Sequence, residues 1–81
     1  MIPVIDMEAT GKNISQMRKG IRMTVRELQQ NFGFNTPQSI YKWERGETLP
    51  SVDNLVILAE IFGVTIDEIL VLDEQSGGRK T

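Results

Sequence analysis

The chain has 81 residues, 40% of them hydrophobic and 25% charged, with a net charge of −2 and a pI near 5.0. That length supports one core and is too short for two. There is no cysteine and no histidine, which excludes disulfides and thiolate metal sites and removes the commonest metal ligand and general base.

The apolar opening "MIPVIDM" lacks a basic flank and is too short for a signal segment. It is read as an N-terminal arm over residues 1–9 that covers the core and includes the possible start of a first helix, with a dimer-swapped or partner-binding arm as the alternative. Met7, Ile14, Met17 and Ile21 share a helical face, which predicts that helix from between Asp6 and Thr10 to about Gly20. Its start is poorly marked, because Gly11 and Asn13 are weak helix formers. Thr24 and Glu27 have capping-box spacing, and Val25, Leu28 and Phe32 follow at helical intervals until Gly33. Thr36 followed by Pro37 reads as a cap and a first helical position, with Gly46 closing the segment. Ser51 opens the next helix, with Leu55, Leu58, Ala59 and Phe62 on one face and Gly63 as its stop. Thr65 and Glu68 repeat the capping box and lead Ile66, Ile69, Leu70 and Leu72 into a last helix. Residues 74–81 are polar and glycine-containing and read as a flexible tail.

Connections of two to five residues suit a compact helical domain over residues 10–73. No β-branched residues alternate with polar ones for long enough to predict a strand. The fold expected is all-α, a compact bundle of five helices. No apolar run approaches the ~18 residues of a membrane span, so a cytoplasmic protein with no membrane association is expected.

The sum of charges conceals their order. Lys12, Arg18, Lys19, Arg22, Arg26, Lys42 and Arg45 face only Glu27 and Glu44 within residues 10–46, a balance of +5; residues 47–78 carry seven acids and no base. Screening at physiological salt acts over roughly 8 Å, so an acidic half of the domain need not cancel a basic half.

The segment "FGFNTPQSIYKWERG", residues 32–46, is where chemistry concentrates. Ile40 and Trp43 lie three apart and point into the core. Gln38, Tyr41, Lys42 and Arg45 share the opposite face. Amides pair with adenine edges, and Lys or Arg with guanine acceptors, in a major groove wide enough for a helix. A helix amino end adds N–H groups and partial positive charge for phosphate. Any surface helix also has a solvated polar face, and the segment taken alone leaves both readings open.

The stretch "MTVRELQQNFGFNTPQSIYKWERGETLPSVDNLVILAEIFGVTIDEIL" resembles the helix-turn-helix domain of the phage-repressor and Cro family (lambda-repressor-like, Xre-like). The resemblance runs through threonine-x-x-glutamate-leucine, glycine, tryptophan-glutamate-x-glycine, proline-serine and glycine-valine-threonine-x-aspartate-glutamate. It covers nearly all of residues 12–72 and implies a lambda-repressor-like bundle whose second and third helices form the helix-turn-helix. It places the recognition helix on Pro37 to Arg45, with base edges read by Gln38 and Lys42 and flanked by Tyr41 and Thr36. Phosphate contacts are implied for Thr24, Arg26, Ser39, Arg45, Thr48, Ser51 and Asn54. An ion pair between Arg18 and Glu44 is implied as a structural link from the first helix to the recognition helix. The chain departs from the family pattern in four places. The turn before Trp43 is one residue longer than is common. Val25 stands where a phosphate-binding glutamine is frequent, so Arg26 is the substitute. Pro37 replaces a frequent base-reading glutamine. Arg22 falls where a glycine usually ends the first helix, which implies a left-handed arginine.

Trp43 is first a core anchor, as are Phe32, Phe34 and Phe62, and Glu27 and Glu68 are caps. No catalytic residue, metal site, cofactor or small-molecule ligand is indicated. The expected function is sequence-specific binding of double-stranded DNA by a transcriptional regulator of the bacterial or phage type, as a homodimer through the C-terminal helix. The alternative is a protein-interaction module of the same fold, antitoxin-like or regulator-sequestering, with little or no DNA binding.

Overall fold

The computed structural model describes residues 4–73; the tail expected over 74–81 and the first three residues of the arm lie outside them. The element order is β1 (Val4–Ile5), α1 (Met7–Gly20), α2 (Val25–Phe32), α3 (Gln38–Arg45), α4 (Val52–Phe62), α5 (Ile66–Ile69) and β2 (Leu72–Asp73). Every helix contributes to one core, with Ile14 from α1, Leu28 from α2, Ile40 and Trp43 from α3, Leu55, Leu58 and Phe62 from α4, and Ile69 from α5.

The helices begin where oxygen-bearing side chains can accept unpaired N–H groups. Asp6 caps α1 by accepting the Ala9 N–H at 3.0 Å. Thr24 and Glu27 close a reciprocal box at the start of α2, and Thr65 and Glu68 do the same for α5. Ser51 accepts the Asn54 N–H at 3.2 Å and caps α4. α3 departs from the expected cap. Pro37 holds the N-cap position, and its carbonyl accepts from the Tyr41 N–H at 3.0 Å. The helix therefore starts at Gln38, one residue later than read from Thr36–Pro37. Thr36 instead closes a small turn, its hydroxyl oxygen accepting the Gln38 N–H at 3.4 Å.

Three expectations are corrected. Ile21 leaves the core face of the first helix: α1 ends at Gly20, and Ile21, at φ −99° and ψ 13°, is 43% exposed. The face that α1 buries is Thr10, Gly11, Ile14 and Arg18; hydrophobic spacing registers Ile14 but not the small and polar residues beside it. The last helix does not reach Leu72. It ends at Ile69, because Leu70 turns extended and the chain continues into β2. β2 pairs antiparallel with β1, Val4 opposite Asp73 and Ile5 opposite Leu72, a ladder too short for a period of two to reveal.

The carboxyl-terminal segment is fastened along α1. The Asp6 N–H donates to the Val71 carbonyl at 2.7 Å, and the Val71 N–H to the Thr10 hydroxyl at 2.9 Å. Asn13 donates through Nδ2 to the carbonyls of Glu68 and Ile69 at 2.7 and 3.0 Å. Asn13 and Gly11, weak helix formers, thus serve tertiary contacts that outweigh local propensity.

Candidate nucleic-acid interface

α3 is seated from behind by three contacts. Trp43 meets Phe32 and Phe34 edge-on, with centroids 5.4 and 5.9 Å away, while those two rings stack at 4.9 Å. This trio joins the end of α2, the turn and α3. Gly11 brings α1 against the carbonyls of Trp43 and Glu44, and a Cβ on Gly11 would lie 2.8 Å from the Glu44 oxygen. Arg18 then grips Glu44 with two parallel bonds, Nε to Oε2 at 2.8 Å and Nη2 to Oε1 at 3.1 Å, and donates a third from Nη1 to the Met23 carbonyl at 2.8 Å. Both side chains of the pair are nearly buried. The Glu44 hydrogen bond raises the Arg18 pKa above its ordinary value against the opposing effect of burial, so the guanidinium stays charged. One residue of α1 therefore fixes both α3 and the turn that leads into α2.

With Ile40 and Trp43 buried, the outer side of α3 presents Gln38, Ser39, Tyr41, Lys42 and Arg45, all exposed. Thr36 is exposed just ahead of the helix. The turn from α2 is held by Gly33 at φ 71°, by the Phe34 N–H bonded to the Gln29 carbonyl at 3.1 Å, and by the Gln29 amide bonded to the Phe34 carbonyl at 3.1 Å. Gln29 is a positioning residue that sequence spacing gave no means to single out, since its partner is a backbone atom in the turn.

The residues expected at phosphates divide by location. Val25, Arg26, Gln29, Gln30, Pro37 and Tyr41 line one groove between α2 and the start of α3, which brings Arg26 beside Tyr41 on the outer side of α3. Val25 is half-buried against the core. Thr24 is exposed at the head of α2; its oxygen accepts the Glu27 N–H at 3.0 Å, which leaves the hydroxyl hydrogen available to donate. Thr48 and Ser51 are exposed in and after the turn that follows α3, and Asn54 is half-buried in the first turn of α4. Arg45 is not an unpaired cation: its Nε lies 2.6 Å from Glu47 Oε2. That bond raises the Arg45 pKa and holds the Glu47 carboxyl below its usual range.

Among the described residues the bases lie on the first three helices and the turn after α1, in company with Glu8, Glu27 and Glu44, whereas α4 and α5 carry acids and no base. Lys12, Lys19, Arg22 and Arg26, all exposed, lie on α1, α2 and the turn between them, with Lys42 and Arg45 on α3. Asp53, Glu60, Asp67 and Glu68 lie on α4 and α5. Among the described residues no helix is long and apolar enough to cross a membrane.

Comparison with known proteins gives this arrangement a context. Residues 14–69 match the family described as helix-turn-helix. The chain is 32% identical over 63 residues to the HTH-type transcriptional activator BcrR of Enterococcus faecalis, covering 78% of this chain and 30% of that protein. It is 33% identical over 58 residues to the cryptic phage CTXphi transcriptional repressor RstR of Vibrio cholerae serotype O1, covering 72% of this chain and 51% of the repressor. The chain thus spans only about half, or less, of the length of these curated relatives. Among solved structures, the DNA-binding domain of BldD superposes with a TM-score of 0.68 at 20% identity, covering 80% of this chain and 93% of that one. A second structure, of the S. venezulae BldD DNA-binding domain, gives the same TM-score and identity and is 96% covered. At that identity the likeness establishes the fold.

Proposed function

The chain belongs to the helix-turn-helix family of the phage-repressor type, and on that premise we propose that it is a sequence-specific, double-stranded DNA-binding transcriptional regulator. The observation that carries this reading is the outer face of α3. Gln38, Tyr41 and Lys42 are exposed on a helix whose inner face is locked by Trp43 and by the Arg18–Glu44 pair. A rigid helix with free amide and ammonium groups matches what major-groove readout needs.

In this mechanism α3 enters the major groove. The Gln38 amide pairs with an adenine edge and the Lys42 ammonium with guanine acceptors, with Tyr41 and Thr36 at the flanks. Thr24, Arg26, Ser39, Arg45, Thr48, Ser51 and Asn54 contact phosphates and set the pose without reading sequence. A domain of this size covers one half-site, so a symmetric dimer on half-sites one helical turn (~34 Å) apart completes the proposal. The dimer surface is assigned to the C-terminal region. α5 itself is a single turn there, and Leu72 and Val4 on the strand pair are half-exposed.

Selection from a random duplex library, followed by a salt titration on the selected duplex, tests the reading. Affinity should fall steeply as salt rises, with a slope of about −0.9 per phosphate contact. Gln38→Ala and Lys42→Ala should each weaken the selected duplex by ~1–3 kcal/mol while leaving the helical circular dichroism unchanged. If both variants stay folded and bind as tightly as the parent, the assigned readout is wrong.

A protein-binding module of the same fold is the competing reading. The exposure of Val52 and Val56, one turn apart on α4, supports it. Under that reading no duplex is enriched in the selection, and the α3 substitutions change nothing.

A further inference from the structure

Glu47 stands two residues beyond α3, in a position the fold builds firmly. Gly46 reverses the chain at φ 77°, and a Cβ there would lie 2.8 Å from the Glu8 Cα. The Glu47 N–H donates to the Lys42 carbonyl at 2.9 Å, which folds the residue back onto the last turn of the helix. Its carboxylate then meets the Arg45 guanidinium at 2.6 Å, with both side chains about half exposed at 50% and 54%. The Lys42 charge also acts on it. An anion is therefore placed against one of the cations proposed to face a duplex, within electrostatic reach of a second, and it occupies the Nε donor of Arg45, one of those a phosphate oxygen would use.

We propose that Glu47 is an internal stand-in for a DNA phosphate, which occupies Arg45 in the free protein and sets the overall affinity for duplex DNA. The inference rests on the DNA-binding reading above. Binding of polycationic surfaces to duplexes is driven largely by release of counterions, in proportion to the phosphates neutralised. A phosphate that takes the Arg45 Nε must displace the carboxylate, and one that takes the remaining guanidinium donors meets the carboxylate as a neighbouring negative charge, so the count falls by up to one. Contacts to phosphates carry no sequence information. The stand-in therefore lowers affinity for every duplex alike and leaves the ranking of sequences to Gln38 and Lys42. Exposed pairs of this kind are weakly held, so the exchange is reversible.

The test compares the parent with Glu47→Gln on two probes, a library-selected duplex and a random-sequence duplex, each titrated with salt. Glu47→Gln should steepen the salt slope by up to about 0.9 and raise affinity for both duplexes by the same factor, up to about eightfold at 0.1 M salt. In an Arg45→Ala background the same substitution should lose most of its effect. Glu60→Gln, an equal charge change on α4, should leave the slope unaltered. A parent that binds with an unchanged slope in Glu47→Gln overturns the stand-in while DNA binding survives. An undiminished effect in the Arg45→Ala background also overturns it, by reducing Glu47 to general repulsion. A parent that binds neither duplex at low salt overturns the DNA-binding reading and this inference together.

Discussion

Gly11 has no room for a side chain, because the last carbonyls of α3 lie directly against it. Helix propensity alone says Gly11→Ala should stabilise α1 by up to ~1 kcal/mol. The clash is with backbone oxygens that belong to a second helix, and overpacking of that kind costs ~1–3 kcal/mol or more. The expected outcome is net destabilisation of up to about 2 kcal/mol in a urea melt, with α3 displaced. A variant more stable than the parent would mean that α1 and α3 do not approach as closely as described. At this scale the sequence was legible where a residue's type determines its neighbours. Trp43 and Ile40 had to face inward, and Gln38 and Lys42 outward. It was opaque where a residue acts on distant backbone: Gly11, Thr10 and Asn13 look like flaws in a helix until the chain that packs on them is known.

The four longer helices share one way of ending. A left-handed residue follows each, Gly33 after α2, Gly46 after α3, Gly63 after α4, and Arg22, at φ 58°, after α1. The N–H of the next residue reaches back to the final turn in each case, as from Met23 to the Arg18 carbonyl at 3.0 Å and from Val64 to the Ala59 carbonyl at 3.0 Å. Three of these ends were readable because glycine marks them. The fourth was readable only by position, since arginine in this conformation has a steric cost. Arg22→Gly should therefore stabilise the domain by ~0.5–1 kcal/mol, seen as a rise of several degrees in the thermal midpoint. Element boundaries were least legible at α5, where the pull of the strand pair overrides a helical pattern of Ile66, Ile69, Leu70 and Leu72. The seat of α3 can also be tested as a unit. Arg18→Ala strands the nearly buried Glu44 carboxylate and should cost ~3–5 kcal/mol. Replacing Arg18 and Glu44 together with Met and Leu should recover most of that loss. A double-mutant cycle by denaturant unfolding reads the coupling.

At the scale of the molecule, charge and covalent order run together: among the described residues, bases occur on the first three helices and the turn after α1, while α4 and α5 carry acids and no base. This made the candidate site partly readable from the order of charges along the sequence, despite a net negative chain. The sequence did not reveal that Arg45 is already matched by Glu47, because whether two exposed side chains meet depends on the turn at Gly46. Nor did it reveal how the carboxyl-terminal segment returns to α1, since two-residue strands carry no periodic signal.

That return has a topological consequence. Val4 and Asp73 face each other across an antiparallel ladder, which is the geometry that a two-residue hairpin spans. A backbone-cyclised variant, with Asp73 joined to Val4 through Asn-Gly, would convert the bundle into a ring without moving any helix. By the loop-entropy estimate for a closed loop of about 70 residues, it should gain up to ~4 kcal/mol over its linear counterpart. A ring that melts no later than the linear form would show that the two ends do not meet in solution.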